Sequence, residues 1–272
     1  MLIELKTLFK NQGTSFKYLG KLINSKKEDF GVLTWKDGAQ YKGIFVNNQA
    51  TGLGKFTHSD GDDYSGEFYN DRALGFGIYL HLNGANYIGE WKDDAQENIG
   101  IEVWPDGSTY KGEYSRGRKH GLGVYFWSDG SRYEGEWEDN CLHGYGFYSF
   151  TDQRSYAGQW KLNLMHGYGE FRWKDGKKYA GYYHNDKKQG FGIYHWEVYN
   201  KAYVGFWHDG KQDGIGKYIT PTKTRYGLWQ NGERVKWFNS EREAFACLKD
   251  KQNVFKDLFQ YDLKEISSYL NS

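Results

Sequence analysis

Tyr133-Glu-Gly-Glu-Trp137, followed by Gly144-Tyr-Gly146 and Tyr148, sets a ring or a glycine at every second position. A two-residue period carried by aromatic side chains is the pattern of a β-strand, so the stretch reads as two strands. Asp139-Asn140 between them is a pair that tolerates φ > 0 and closes a tight hairpin. With a tight turn, Tyr133, Gly135 and Trp137 share one face with Gly144, Gly146 and Tyr148. A ring can then lie over a glycine across the strand and cover backbone that no side chain protects.

The same reading holds along most of the chain. Tyr-x-Gly recurs from Tyr18-Leu-Gly20 to Tyr203-Val-Gly205 at steps of 23 residues, seven times running, and then once at 24. Gly-x-Gly keeps the same step from Gly52-Leu-Gly54 to Gly214-Ile-Gly216, and a tenth, degenerate copy has Arg225 before Gly227 in place of the tyrosine. One link in each unit is an Asn/Asp/Gly pair such as Asn70-Asp71, and the other is an Asp-Gly or Asn-Gly pair such as Asp60-Gly61. Every connection is short, which predicts an all-β fold: a single elongated antiparallel meander of stacked hairpins over residues 18–238. At two strand spacings per unit, ten units extend roughly 90 Å.

Trp104, Trp127, Phe150, Trp173 and Trp196 fall on the ring-bearing face and are the expected protein-binding residues, because Trp and Tyr are enriched at binding hot spots. The opposite face mixes Lys111, Glu113, Glu134 and Glu136 with Leu53, Phe76, Ile99, Leu122, Tyr145, Tyr168, Phe191 and Ile215, and is expected to be half wet.

The Tyr133-Glu-Gly-Glu-Trp137 and Gly144-Tyr-Gly146 pair on its 23-residue step resembles the MORN (membrane occupation and recognition nexus) repeat. The resemblance implies a twisted sheet of stacked hairpins acting as a scaffold or interaction module. It points to the ciliary radial spoke head type within cytoskeletal assemblies, often dimeric. Asp29 and Asn98 depart from the first glycine of Gly-x-Gly, Asp152-Gln153 from the Asp-Gly turn, and Glu197-Val-Tyr-Asn-Lys201 is an insertion.

Composition bounds the function. Gly makes up 36 of 272 residues, against a usual share of about 7%. Aromatics reach 19% with only 2 prolines, which excludes disorder. Residues 18–238 hold 28 Lys/Arg and 28 Asp/Glu, so no basic surface invites nucleic acid. Cys141 and Cys247 form neither a disulfide framework nor a metal spacing. Residues 1–13 lack the pattern of a secretory leader, and no run of 18 apolar residues occurs. A reduced, cytoplasmic protein is expected.

No nucleophile–base pair is suggested, no cofactor is expected, and the Gly-x-Gly copies open onto no helix as a phosphate loop requires. The chain reads as no enzyme. His120, His143 and His166 recur at one position. Equivalent residues lie two strands apart, roughly 9–10 Å, too far to share a metal, and are expected to hydrogen-bond beside the turn. Arg116, Arg118 and Lys119 form a candidate anion-binding turn.

Residues 1–17 are expected to be an N-terminal cap segment containing a short helix. Residues 239–272 are expected to be a helical extension opened by a capping box, Ser240-Glu-Arg-Glu243. Phe255, Leu258, Phe259, Leu263 and Ile266 recur there at helical spacing, either to cap the open sheet edge or to dock a partner. The expected function is a non-catalytic scaffold with protein partners, a second copy among the candidates, in a cytoskeletal or ciliary assembly. The alternative is a peripheral tether for anionic phospholipid.

Overall fold

The computed structural model describes residues 16–246. The expected N-terminal helix and the docking-helix residues Phe255, Leu258, Phe259, Leu263 and Ile266 lie outside the described residues. Twenty strands, from Phe16–Ile23 to Glu233–Trp237, follow one another as an antiparallel meander, with a 3-10 turn at Glu197–Tyr199 and one short helix, α1 (Glu241–Ala246). The repeat sheet therefore starts at Phe16, within the segment expected to be a cap. The described strands divide into two compact units between Cys141 and Leu142, with eleven strands before the division and nine from Cys141–Ser149 onward.

Turn chemistry fixes the hairpins. Asn70 and Asp71 take φ of 48° and 65°, the two successive left-handed residues of a type I′ turn. The other link is wider: His58 N–H donates to the Asp62 carbonyl at 2.8 Å, and Gly61 N–H donates back to the His58 carbonyl at 3.0 Å. Where the sequence departs from its pattern the backbone does not. Asp29 and Asn98 hold the first-glycine position at φ of 61° and 52°, Gln153 stands in a turn at 70°, and Asn200 closes the insertion at 45°. Asn and Asp are the residues that enter this region most readily after glycine.

The register places glycine against glycine. In the first unit Gly54 faces Gly66, Gly66 faces Gly77, and the row runs on through Gly89, Gly100, Gly112, Gly123 and Gly135. The second unit repeats it from Gly146 to Gly227. Each Tyr-x-Gly tyrosine lies along this row. A Cβ on Gly77 would collide with the Tyr64 hydroxyl and ring. The Tyr64 hydroxyl itself donates to the Glu67 carbonyl at 3.1 Å. The same bond, from the tyrosine to the residue three positions on, recurs from Tyr18 to Tyr203 at 2.9 to 3.2 Å.

Two further devices tie the hairpins together. At the first glycine of Gly-x-Gly the pairing slips, as between Gly66 and Phe68 on the facing strand, and the bulge exposes an N–H. A neighbouring side chain accepts it: Glu113 Oε1 from Leu122 N–H at 2.9 Å, and Gln159 Oε1 from Tyr168 N–H at 2.9 Å. Each type I′ turn also reaches the hairpin before it. Asp71 N–H donates to the Ala50 carbonyl at 3.1 Å, while Ala50 N–H donates to Asp71 Oδ1 at 2.7 Å. Asp94 with Ala73, Asn140 with Lys119, Asn163 with Leu142 and Asp186 with Met165 do the same.

The capping box forms as expected. Glu243 N–H donates to Ser240 Oγ at 3.2 Å, and Asn239 N–H donates to Glu243 Oε2 at 2.8 Å. Phe238 and Ala244 then pack on Ile215, so the end of the described chain covers part of a sheet face.

Candidate functional site

The ring-bearing face is a core built from edges and planes. Tyr64 meets Phe68 at 5.1 Å and 88° and Trp91 at 5.2 Å and 86°. Tyr110 repeats this with Tyr114 and Trp137. Such T-shaped pairs place a positive ring edge against a negative ring face. The indole N–H groups are satisfied within the face: Trp91 Nε1 donates to the Gly77 carbonyl and Trp137 Nε1 to the Gly123 carbonyl, both at 3.2 Å. The repeat tyrosines from Tyr41 to Tyr203 are fully buried, and burial raises their pKa above the ordinary value of 10.0.

Trp104, Trp127, Phe150, Trp173 and Trp196 sit at the rim of this face beside the wider turns, and each is half-buried. They touch rings of the following strands: Trp104 is stacked on Tyr125 at 5.3 Å and 30°, Phe150 and Trp173 lie tilted against Phe171 at 5.9 Å and Tyr194 at 5.5 Å, and Trp196 meets Tyr218 edge-on at 6.2 Å. Trp127 lies on Tyr125 at 4.5 Å. In each unit these side chains are engaged by intramolecular ring contacts and are only partly exposed.

The opposite face differs between the units. In the first, Phe30, Leu53, Phe76, Ile99 and Leu122 stand at one repeat position and are 55 to 69% exposed. A groove lined by Phe30, Leu53 and Phe76 runs over Gly43, Gly54, Gly66 and Gly77, with Lys42 and Lys55 among its walls. In the second unit the same position closes progressively along the chain: Tyr145 is 63% exposed, Tyr168 37%, Phe191 7% and Ile215 4%. Phe191 joins a closed cluster with Ala180, Ile193, Ala202, Val204 and Ile219. Nothing in the repeat pattern separates these two outcomes.

The candidate anion turn is not gathered into one site. Arg118 pairs with Asp139 at 3.1 Å, whereas Lys119 turns into the ring-bearing face and pairs with Glu102 at 3.1 Å. Arg116 contributes a backbone N–H to Glu97 Oε2 at 2.8 Å. His166 does not make the expected hydrogen bond through Nδ1, which is buried without a partner among the described residues, and its ring lies 5.0 Å from that of His184. Among the described residues, no three His, Cys, Asp or Glu side chains are placed to hold a metal ion, and no helix is long and apolar enough to cross a membrane.

Sequence reasoning missed Lys188. Its ammonium lies 4.9 to 5.2 Å from the centroids of Trp173, Tyr179, Tyr194 and Trp207, and burial pushes it down to about 8. The signal was weak: the same repeat position holds Lys27 and Lys119 as well as alanine, leucine, methionine and glutamine, so nothing in the repeat pattern singles out Lys188.

No curated protein matches the chain. Among solved structures, the wild-type TCP10 domain of Danio rerio CPAP is 14% identical, with 77% of this chain and 99% of that one covered and a TM-score of 0.40. The TCP domain of Drosophila melanogaster SAS-4, solved with a proline-rich motif of Ana2, is 10% identical over 64% of this chain and 97% of that one, with a TM-score of 0.37. At these scores neither likeness bears on fold or function. The model of the MORN repeat matches nine segments: 18–40, 41–63, 64–85, 87–109, 110–132, 133–153, 156–178, 179–201 and 203–225. Each opens on the tyrosine whose ring covers the glycine row, and together they take up most of the sequence: the chain belongs to the MORN repeat family.

Proposed function

We propose that this chain is a non-catalytic scaffold whose first unit docks a protein partner on the face opposite the rings. The observation that carries this is the exposed series Phe30, Leu53, Phe76, Ile99 and Leu122, the first three of which line a groove. Contiguous apolar surface of this kind marks an interaction site on a soluble protein. The ring contacts of Trp104, Trp127, Phe150, Trp173 and Trp196 support the same choice of face, since rings packed on their neighbours leave less apolar surface to a partner. A cytoplasmic, cytoskeletal or ciliary assembly of the radial spoke head type is the setting we propose, on the family membership alone. The lipid-tether alternative draws no support from the turn at Arg116, because Arg118 and Lys119 are held by Asp139 and Glu102, whereas attachment to anionic lipid uses clusters of free basic residues.

The test is the variant Leu53→Lys with Phe76→Lys and Ile99→Lys, compared with the wild type in affinity purification read by mass spectrometry. These side chains are exposed, so circular dichroism is expected to be unchanged while a specific set of partners is lost. Retention of every partner by a folded variant would move the docking surface elsewhere. Flotation with phosphatidylserine vesicles at physiological salt, lost on changing Arg116 and Arg118 to Ala, would put the tether first.

A further inference from the structure

One position of the ring-bearing face holds a lysine among rings three times, as Lys27, Lys119 and Lys188, and the last two show contrasting chemical settings. Lys119 and Lys188 stand at one repeat position, three repeats apart, each the cross-strand partner of a tyrosine, Tyr114 and Tyr183. Around Lys119 the centroids of Trp104, Tyr110 and Tyr125 lie 4.8, 5.2 and 5.9 Å from Nζ. Their equivalents around Lys188 are Trp173, Tyr179 and Tyr194, at 5.1, 5.2 and 5.0 Å, and Trp207 adds a fourth ring at 4.9 Å.

The anion is what differs. At the first site Glu102 Oε2 lies 3.1 Å from Lys119 Nζ and also accepts from the Tyr114 hydroxyl at 3.0 Å, with the Glu102 side chain only 3% exposed. At the second site the equivalent of Glu102 is Phe171. Among the described residues, no acceptor faces the Lys188 ammonium and the Tyr183 hydroxyl makes no hydrogen bond. Ring faces attract a cation through their quadrupole without neutralising it. The second site keeps both donors and lacks their acceptor.

We infer that the Lys188 cage is a binding site for the carboxylate of an Asp or Glu side chain on a partner polypeptide, taken up by Lys188 Nζ and the Tyr183 hydroxyl. The chain itself supplies the template, since Glu102 satisfies the same pair of donors at Lys119. Phe171 fills the place from which Glu102 reaches, so the ligand enters from the solvent side, where Lys188 is still half-exposed. Two donors between apolar rings suit the two oxygens of a carboxylate, whereas a phosphate dianion calls for more donors and a richer positive charge. The desolvation that pushes Lys188 down to about 8 is relieved when an anion arrives, because an opposite charge favours the protonated form. This site belongs to the ring-bearing face of the second unit and stands independently of the docking proposed for the groove of the first.

The experiment follows the Lys188 ε-methylene resonance in the full chain labelled with 13C-lysine. The probes are acetyl-Ala-Ala-Glu-Ala-Ala-amide, its Gln counterpart, sodium acetate and inorganic phosphate. The Glu peptide is expected to shift the resonance saturably, at least tenfold more tightly than the Gln peptide, acetate or phosphate. Phe171→Glu installs the missing internal anion and is expected to abolish the titration, whereas Phe171→Gln, which removes the ring without adding charge, keeps it. Equal titration by the Glu and Gln peptides, or an unaltered titration in Phe171→Glu, overturns the site. Saturation by phosphate or acetate at the peptide's concentration overturns the assignment to a polypeptide carboxylate.

Discussion

A tyrosine of the Tyr-x-Gly pair covers two glycines with its ring, holds a carbonyl with its hydroxyl and receives the edge of a neighbouring ring, as Tyr64 does over Gly66 and Gly77. Space is so tight that Gly77→Ala would press a methyl group into the Tyr64 ring, and a loss of about 2–3 kcal/mol is expected from overpacking. Urea unfolding measures it, with an unchanged midpoint as the contrary result. The buried hydroxyls also set a pH limit. Their folded pKa values are raised above the ordinary 10.0, by burial first and by nearby charges second. Stability from these groups is therefore complete below pH 10 and is lost as pH rises past it, because the unfolded chain ionises first. A urea midpoint lower at pH 11 than at pH 8 is the expected result, and equal midpoints would show that the rings are not sealed from water. Trp127→Ala and Trp173→Ala are each expected to destabilise, by about 2 kcal/mol, through the loss of packed ring area. If both leave the unfolding midpoint unchanged, their ring contacts contribute nothing to the fold.

At the level of the hairpin, strand positions and turns were legible because period and turn residues are local properties. Asn70-Asp71 announces φ > 0 whatever surrounds it. The clamps between hairpins were not legible, since Asp71 looks like any turn aspartate until register brings it to Ala50 N–H. Glu113 likewise read as a wet surface residue, and its acceptance of the Leu122 N–H depends on a bulge one strand away. Asn140→Gly separates the clamp from the turn, because glycine keeps the left-handed backbone and removes only the acceptor for Lys119 N–H. A cost of about 1 kcal/mol is expected, read as a lower chemical-denaturation midpoint. Stability equal to wild type would mean that the turn alone holds the hairpins in register.

Across the whole chain, the repeat and its fold could be read from one 23-residue unit, but the working surface could not. Leu53 and Ile215 occupy the same repeat position, yet one is exposed and the other is closed under Phe238 and Ala244. For Ile215 the difference comes from Phe238 at the end of the repeat array and Ala244 just beyond it, which no single unit encodes. Lys119 and Lys188 make the same point on the other face, since their settings diverge only through Glu102 and Phe171. The central functional claim is that the exposed series of the first unit meets protein. A photo-crosslinking benzoylphenylalanine placed at Phe76 in cells tests it most directly, with the same group at the turn residue Lys36 as a control. Protein adducts of defined mass from position 76, and none from position 36, are the predicted result. No protein adduct at position 76, or the same adducts from both positions, would contradict it.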